Sequence, residues 1–282
     1  MTAAARQVTD MNRVVGSHDI VFLTLDTLRY DVAQALFERG ELPVLGAHLP
    51  PGGWERRHTP GSFTYAAHQA FFGGFLPTPA RPGRHPRLFA TAFRGSETTT
   101  PATCVFEEEN IVAGLAGRGY HTVCIGGVGF FNRQTRLGSV LPGLFAESHW
   151  HPGLGPGQRH SAERQVALAV QRLQALPGRV FLFINISALH APNRAHLPGC
   201  SEDNLDSHAA ALRHVDQALA PLLAACSARA PCFVIACSDH GTAYGEDGYH
   251  GHRLAHPSVW EVPYAEFFLP PPPSSCRPHG AD

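Results

Sequence analysis

Four residues at three places in the chain have types that together could do chemistry. Asp26 ends the apolar run Asp19 to Leu25 (DIVFLTL), and the Asp239-His240 pair follows the run Phe233 to Cys237 (FVIAC). A divalent cation with an oxygen and nitrogen shell needs carboxylates and imidazoles drawn from separate loops, and these two strand ends offer three such ligands. A hydroxyl held at the same cation is a stronger nucleophile, because its pKa falls. Thr64 opens a stretch, GSFTYAAHQAFFGG, that reads as a loop running into a helix. A helix N-terminus there favours a phosphoryl anion. The plainer alternatives are that Asp26 caps the next helix, that Thr64 is an N-cap, and that Asp239-His240 is a solvated turn.

The elements that must position these residues are legible as an alternation. Asn110 to Arg118 reads as a short amphipathic helix, and Tyr120 to Ile125 as a strand. Ser161 to Leu176 has helical periodicity, and Val180 to Ile186 (VFLFINI) is a continuous apolar strand. Leu205 to Ala225 is a further helix before the strand at Phe233. Strands apolar on both sides, alternating with helices, predict a central, mostly parallel sheet with helices on both faces. Such sheets bind ligands beyond the carboxyl ends of their strands, where Asp26, His190 and Asp239-His240 all fall. Pro77 to Thr100, Leu141 to Gly157 and the Pro-rich segment 270–282 read as loops or an extended tail. The expected division is an N-terminal extension over 1–18, a catalytic domain over 19–269 and a tail over 270–282.

Composition narrows the classes. With 282 residues, 44% of them hydrophobic and 16% charged, the chain has ample material for a core and is globular. A net charge of −1 disfavours nucleic acid as a partner. All 22 basic residues are arginine, which excludes a lysine Schiff base or a Walker-type lysine. Eighteen histidines invite a search for metal or phosphate chemistry. No apolar run is long enough to span a bilayer, and no signal-like apolar core follows the N-terminus. Seven cysteines without a Cys-x-x-Cys pair read as reduced thiols. The expectation is therefore a cytoplasmic protein with no membrane partner; oligomeric state is not legible.

The order of motifs resembles the alkaline phosphatase/sulfatase superfamily of metallohydrolases. Ile20 to Asp31 (IVFLTLDTLRYD) is similar to its first strand and D-x-L-R-x-D turn. Thr64 to Pro77 (TYAAHQAFFGGFLP) matches the spacing of its nucleophile helix, and Glu109 to Ile125 the helix and strand that follow. Phe181 to Pro192 resembles the strand ending in a His-x-Pro turn, and Ser238 to Pro263 the Asp-His-Gly loop with the later Glu-x-Val-Pro strand. The resemblance implies an alkaline-phosphatase-like α/β fold. It implies one metal site of Asp26, Thr64, Asp239 and His240, zinc being the expected ion and manganese an alternative. Thr64 would be the nucleophile, with His190 and His252 touching the phosphoryl oxygens or protonating the leaving group. His68 stands where sulfatases carry an arginine.

Departures from the pattern carry information too. Thr64 occupies the Cys or Ser position that sulfatases oxidise to formylglycine, and threonine cannot form that aldehyde. Gly126-Gly127-Val128-Gly129 stands where sulfatases have Gly-Lys-x-His. Ile186 and Thr27 replace acidic residues found in relatives, which disfavours a second ion. The expected function is metal-dependent hydrolysis or transfer of a small-molecule phosphate ester through a phospho-threonine. The alternatives are a sulfatase or phosphonate hydrolase, or a non-hydrolytic metalloprotein reusing the scaffold in a biosynthetic pathway.

Overall fold

A computed structural model describes residues 9–74, 87–89, 103–105 and 110–270. Seven strands form the main sheet: β1 (Asp19–Leu25), β2 (Glu55–His58), β3 (His121–Ile125), β4 (Glu147–His149), β5 (Val180–Ile186), β6 (Cys232–Cys237) and β7 (Glu261–Leu269). Their order is β2-β7-β6-β1-β5-β3-β4. The run from β6 to β4 is wholly parallel, while β7 is antiparallel to both β6 and β2. Two-stranded pairs join Ala243–Tyr244 to His250–Gly251 and Arg87–Phe89 to Thr103–Val105.

The central strands are apolar on both faces because both faces are covered. Side chains alternate along a strand, so Val21, Leu23 and Leu25 of β1 point one way and Ile20 and Phe22 the other. The first set packs with Leu182 and Ile184 against three helices: α1 (Tyr30–Glu38), α4 (Ser161–Ala175) and α5 (Leu205–Arg229). The second set meets Phe181, Phe183 and Phe233 under α2 (Thr64–Gly73) and α3 (Ile111–Gly117). Val14 is buried in that second layer, and the Tyr120 hydroxyl accepts from Gly16 N and donates to His18 O, so the described part of the N-terminal segment lies against the domain.

Strands β1 and β5 run over the expected residues, and β3 and β6 shift by one residue at their starts. Helix α5 departs more, continuing past Ala225 to Arg229 despite Pro221. Its N-terminus is closed by a capping box in which Asn204 and Ser207 satisfy each other's backbone amides. Its last turn is held because Arg229 pairs with the buried Asp19 and donates to the carbonyls of Leu173 and Leu176. That anchor joins the starts of β1 and β5, since Asp19 Oδ1 also accepts from Val180 N.

The segment 141–157 is more ordered than a loop reading suggests. Its β4 adds a parallel edge to β3, and Glu147 on β4 receives Arg172 at 3.1 Å. Trp150 Nε1 donates to Gly127 O at 2.9 Å, fixing the glycine segment beside the site. The expected loop at 77–100 falls outside the described residues except for 87–89, and the tail falls outside them beyond Pro270.

Candidate metal centre

The carboxyl ends of β1, β5 and β6 converge on one buried cluster. Asp26 follows β1, Asp239 and His240 follow β6, and all three are fully buried. Each offers a ligand atom within 4.8 Å of the others. Asp26 does not cap α1: the N-cap there is Arg29, which makes no side-chain cap bond. Nor is Thr64 a cap, because Phe63 holds that position and Thr64 is the first residue of α2. The Thr64 hydroxyl stands 3.3 Å from His240 Nε2 and 3.5 Å from Asp26 Oδ2. Phe63 makes no side-chain cap bond, so among the described residues the first amides and the dipole of α2 face the same space.

Hydrogen bonds leave the ligand atoms ready for a cation. His240 Nδ1 donates to Gly241 O at 2.8 Å, which fixes the tautomer and leaves the Nε2 lone pair facing the carboxylates. Asp26 Oδ2 accepts from Asn185 Nδ2 and Oδ1 from the Thr27 hydroxyl, each at 2.8 Å. Asp239 Oδ1 accepts from the amides of Thr27 and His240 at 3.1 and 3.0 Å. Asp239 Oδ2, by contrast, is buried without a hydrogen-bond partner among the described residues. A buried carboxylate oxygen left unpaired, 3.6 Å from an imidazole lone pair, fits a divalent cation.

The electrostatics agree with that fit. Burial pushes the Asp239 carboxyl up, and the neighbouring charge of Asp26 adds to it. Burial opposes ionisation of Asp26 as well. There the facing His190 and His240, with bonds from Asn185 and Thr27, prevail and hold it below the ordinary carboxylate value. Two carboxylates pushed apart in this way are a pair waiting for positive charge.

His190 and His252 lie at the mouth of the cluster. The His252 ring stacks on His240 with centroids 4.6 Å apart, and the His190 ring stands 5.8 Å from His252. Burial, with His240 and His190 beside it, lowers His252 to about 4. His190 Nδ1 donates to Ala191 O at 2.7 Å, which leaves Nε2 free for a ligand. The structure thus brings Asp26, Thr64, Asp239, His240, His190 and His252 together.

His68 lies one helical turn beyond Thr64 and is fully buried. Its Nδ1 donates to Thr64 O at 2.7 Å and its Nε2 accepts from the Thr24 hydroxyl at 3.1 Å. Burial lowers its pKa, so it is a neutral strut within a box of Phe71, Phe72, Phe131 and Phe183. Arg29 and Asp31 form an ion pair, and Arg29 also pairs with Glu246 and donates to Thr242 O, tying the turn after β1 to the loop after Asp239.

The sequence reading gives two supports of the site no such role: Thr27 enters it only as a replacement for an acidic residue, and Asn185 not at all. Asn185 carries a signal that could have found it, being the single amide in an otherwise apolar strand. Thr27 gave no such signal: its φ of 72° is a left-handed conformation that β-branched residues almost never take.

A family model described as Sulfatase matches residues 65–266. No curated protein matches the chain in sequence. Among solved structures, the C-terminal periplasmic domain of a phosphoethanolamine transferase from Campylobacter jejuni is similar, with a TM-score of 0.58 at 12% identity. The match covers 89% of this chain and 79% of that one. The soluble domain of lipooligosaccharide phosphoethanolamine transferase A from Neisseria meningitidis gives 0.60 at 16% identity, over 89% and 76% of the two chains. The C-terminal periplasmic domain of EcEptC from Escherichia coli, in complex with zinc, gives 0.59 at 12% identity, over 90% and 74%. At these identities the structural likeness speaks for the fold. The superfamily is metal-dependent and its members are hydrolases or transferases, which accords with a buried pair of carboxylates and an imidazole at the strand ends. From the extent of the family match and the fold it accompanies, the chain belongs to the sulfatase family of the alkaline phosphatase superfamily.

Proposed function

We propose that the protein is a metal-dependent hydrolase or transferase of a small-molecule phosphate ester, with Thr64 as nucleophile. The observation that carries this reading is the Thr64 hydroxyl at the head of an uncapped helix, 3.3 Å from His240 Nε2 and 3.5 Å from Asp26 Oδ2. Threonine keeps its hydroxyl, so direct attack by that oxygen is the chemistry this position supports. Asp26, Asp239 and His240 would hold the ion, with zinc preferred for a mixed imidazole and carboxylate set and manganese the alternative. When bound, a divalent cation lowers the pKa of a neighbouring hydroxyl and offsets negative charge on phosphoryl oxygens.

The chain's own groups account for the remaining steps. Thr64 Oγ1 gives up its proton to solvent and attacks phosphorus, forming an O–P bond as the bond to the leaving oxygen breaks. The first amides of α2 point at the developing negative charge. His190 and His252 flank the entrance, where neutral His252 donates its one N–H to a phosphoryl oxygen and His190 Nε2, after taking up a proton from solvent, passes it to the leaving oxygen. Water or an acceptor alcohol then attacks the phospho-threonine and restores Thr64. Neutral His68 and Asn185 keep Thr64 and Asp26 in place without adding charge.

A cytoplasmic setting belongs to the same proposal. It rests on five unpaired cysteines among the described residues, four of them buried. Rapid acid quench of zinc-loaded protein with p-nitrophenyl phosphate or bis(p-nitrophenyl) phosphate, followed by peptide mass spectrometry, tests the nucleophile. The expected result is one phosphate on the peptide containing Thr64, absent in Thr64→Ala. Undiminished turnover by Thr64→Ala would overturn the assignment.

A further inference from the structure

The two histidines at the mouth of the site arrive on segments distant in sequence, and one tyrosine hydroxyl joins those segments. His190 sits on the turn after β5. Three residues on, Asn193 is fully buried; its Nδ2 donates to Leu189 O at 3.0 Å and to the Tyr244 hydroxyl oxygen at 2.9 Å. Its Oδ1 accepts from Ser207 in the first turn of α5 at 2.6 Å. Tyr244 lies four residues past His240, and its backbone pairs with His250, two residues before His252. The same hydroxyl meets Nδ1 of the fully buried His208 at 2.8 Å.

Proton counting settles how this bridge is wired. Asn193 Nδ2 is a donor on both its bonds, so the Tyr244 oxygen accepts from it and the Tyr244 proton must go elsewhere. Among the described residues His208 Nδ1 is the one remaining partner, which makes it the acceptor and puts the His208 proton on Nε2. His208 Nε2 has no partner among the described residues in either tautomer, and the opposite one would strand the tyrosine proton as well. Burial lowers His208 to about 3 and pushes Tyr244 up to about 12, so both stay neutral across the working range. The chain Asn193 to Tyr244 to His208 is therefore directional, buried at both ends and half-buried at Tyr244, and it spans the two segments that carry the histidines.

We propose that Tyr244 is a positioning residue whose hydroxyl couples the His190 turn to the hairpin carrying His252, so that the two imidazoles keep a fixed spacing across the mouth of the site. The consequence for turnover rests on the phosphate-ester reading above, whereas the coupling itself does not. Tyr244→Phe removes the hydroxyl and preserves the ring. Tyr264→Phe, which removes a hydroxyl bonded to Glu266 on the far strand β7, is the comparison.

Amide hydrogen exchange on the full chain decides the coupling. Tyr244→Phe is expected to speed exchange at least threefold in both segments, including the amides of His190, Asn193 and Arg194. Tyr264→Phe should leave these amides at wild-type rates. Loss of protection confined to 241–253, with 187–200 unchanged, would overturn the proposal. With p-nitrophenyl phosphate as probe, Tyr244→Phe is expected to raise KM at least tenfold at unchanged zinc content. An unchanged KM would count against the proposal. A wild-type chain that turns over no ester would refute the phosphate-ester reading, and the exchange result would still decide the bridge.

Discussion

At the scale of single residues, the site is defined by what its carboxylates lack. Asp239 Oδ2 has no hydrogen-bond partner among the described residues and its carboxyl is pushed up by burial and by Asp26, so without an ion two acids stand together with Asp239 uncompensated. Asp239→Asn removes one of them and keeps the shape. Chelator-treated Asp239→Asn should unfold at a higher temperature than chelator-treated wild type, by roughly 1–3 kcal/mol in stability, and should bind no ion. A lower midpoint on differential scanning would contradict this reading of the pair. Asn185 acts from behind, donating to Asp26 Oδ2 while Val128 N donates to its own Oδ1. Removing such a support typically weakens metal affinity by about 10–100-fold. Asn185→Ala should therefore show that loss in a competitive chelator titration, with its helix content intact. The acids of the candidate metal centre were legible because each ends an apolar run. Thr27 was not, because its role depends on a backbone conformation that its side chain disfavours.

Elements place these residues through close approaches that leave little slack. A Cβ on Gly127 would lie 2.6 Å from Ser187 Cβ and 2.9 Å from Asn185 Oδ1, so the glycine segment after β3 sits directly on the support of Asp26. Gly127→Ala should cost about 1–3 kcal/mol by overpacking, seen as a lower urea midpoint, and should weaken ion binding through Asn185. An unchanged midpoint would mean that this segment can shift aside freely. The central strands were readable because burial on both faces writes a continuous apolar run into the sequence. The edge strands β2 (ERRH) and β4 (ESH) were not, because half-exposed edges need no such pattern and are held by pairing with β7 and β3. The end of α5 was misread for a similar reason, since one distant ion pair from Arg229 to Asp19 sustains its last turn.

Across the whole molecule, stability and site share buried histidines, and acid tests that link. His208 titrates at about 3 in the fold against an ordinary 6.5, because burial disfavours its charged form. The unfolded chain thus takes up a proton that the native one refuses. This contribution is intact above about pH 6.5 and is lost as pH falls toward 3, with a slope approaching 1.4 kcal/mol per pH unit. Urea unfolding of chelator-treated protein should show roughly 2 kcal/mol less stability at pH 5 than at pH 7.5 from this group. His208→Gln should lose correspondingly less over the same interval, and equal losses in the two proteins would contradict the assignment. The fold supplies the reason such groups gather here: parallel strands deliver their carboxyl ends to one side, and both covering layers bury what lies between them.

The central claim is that Asp26, Asp239 and His240 form a metal centre, and the most direct test is elemental analysis of purified wild type beside Asp239→Ala. The account predicts about one equivalent of zinc or manganese in the wild type and loss of that ion in the variant. Metal-free wild type after loading with either ion, or an equivalent retained undiminished by Asp239→Ala, would contradict it.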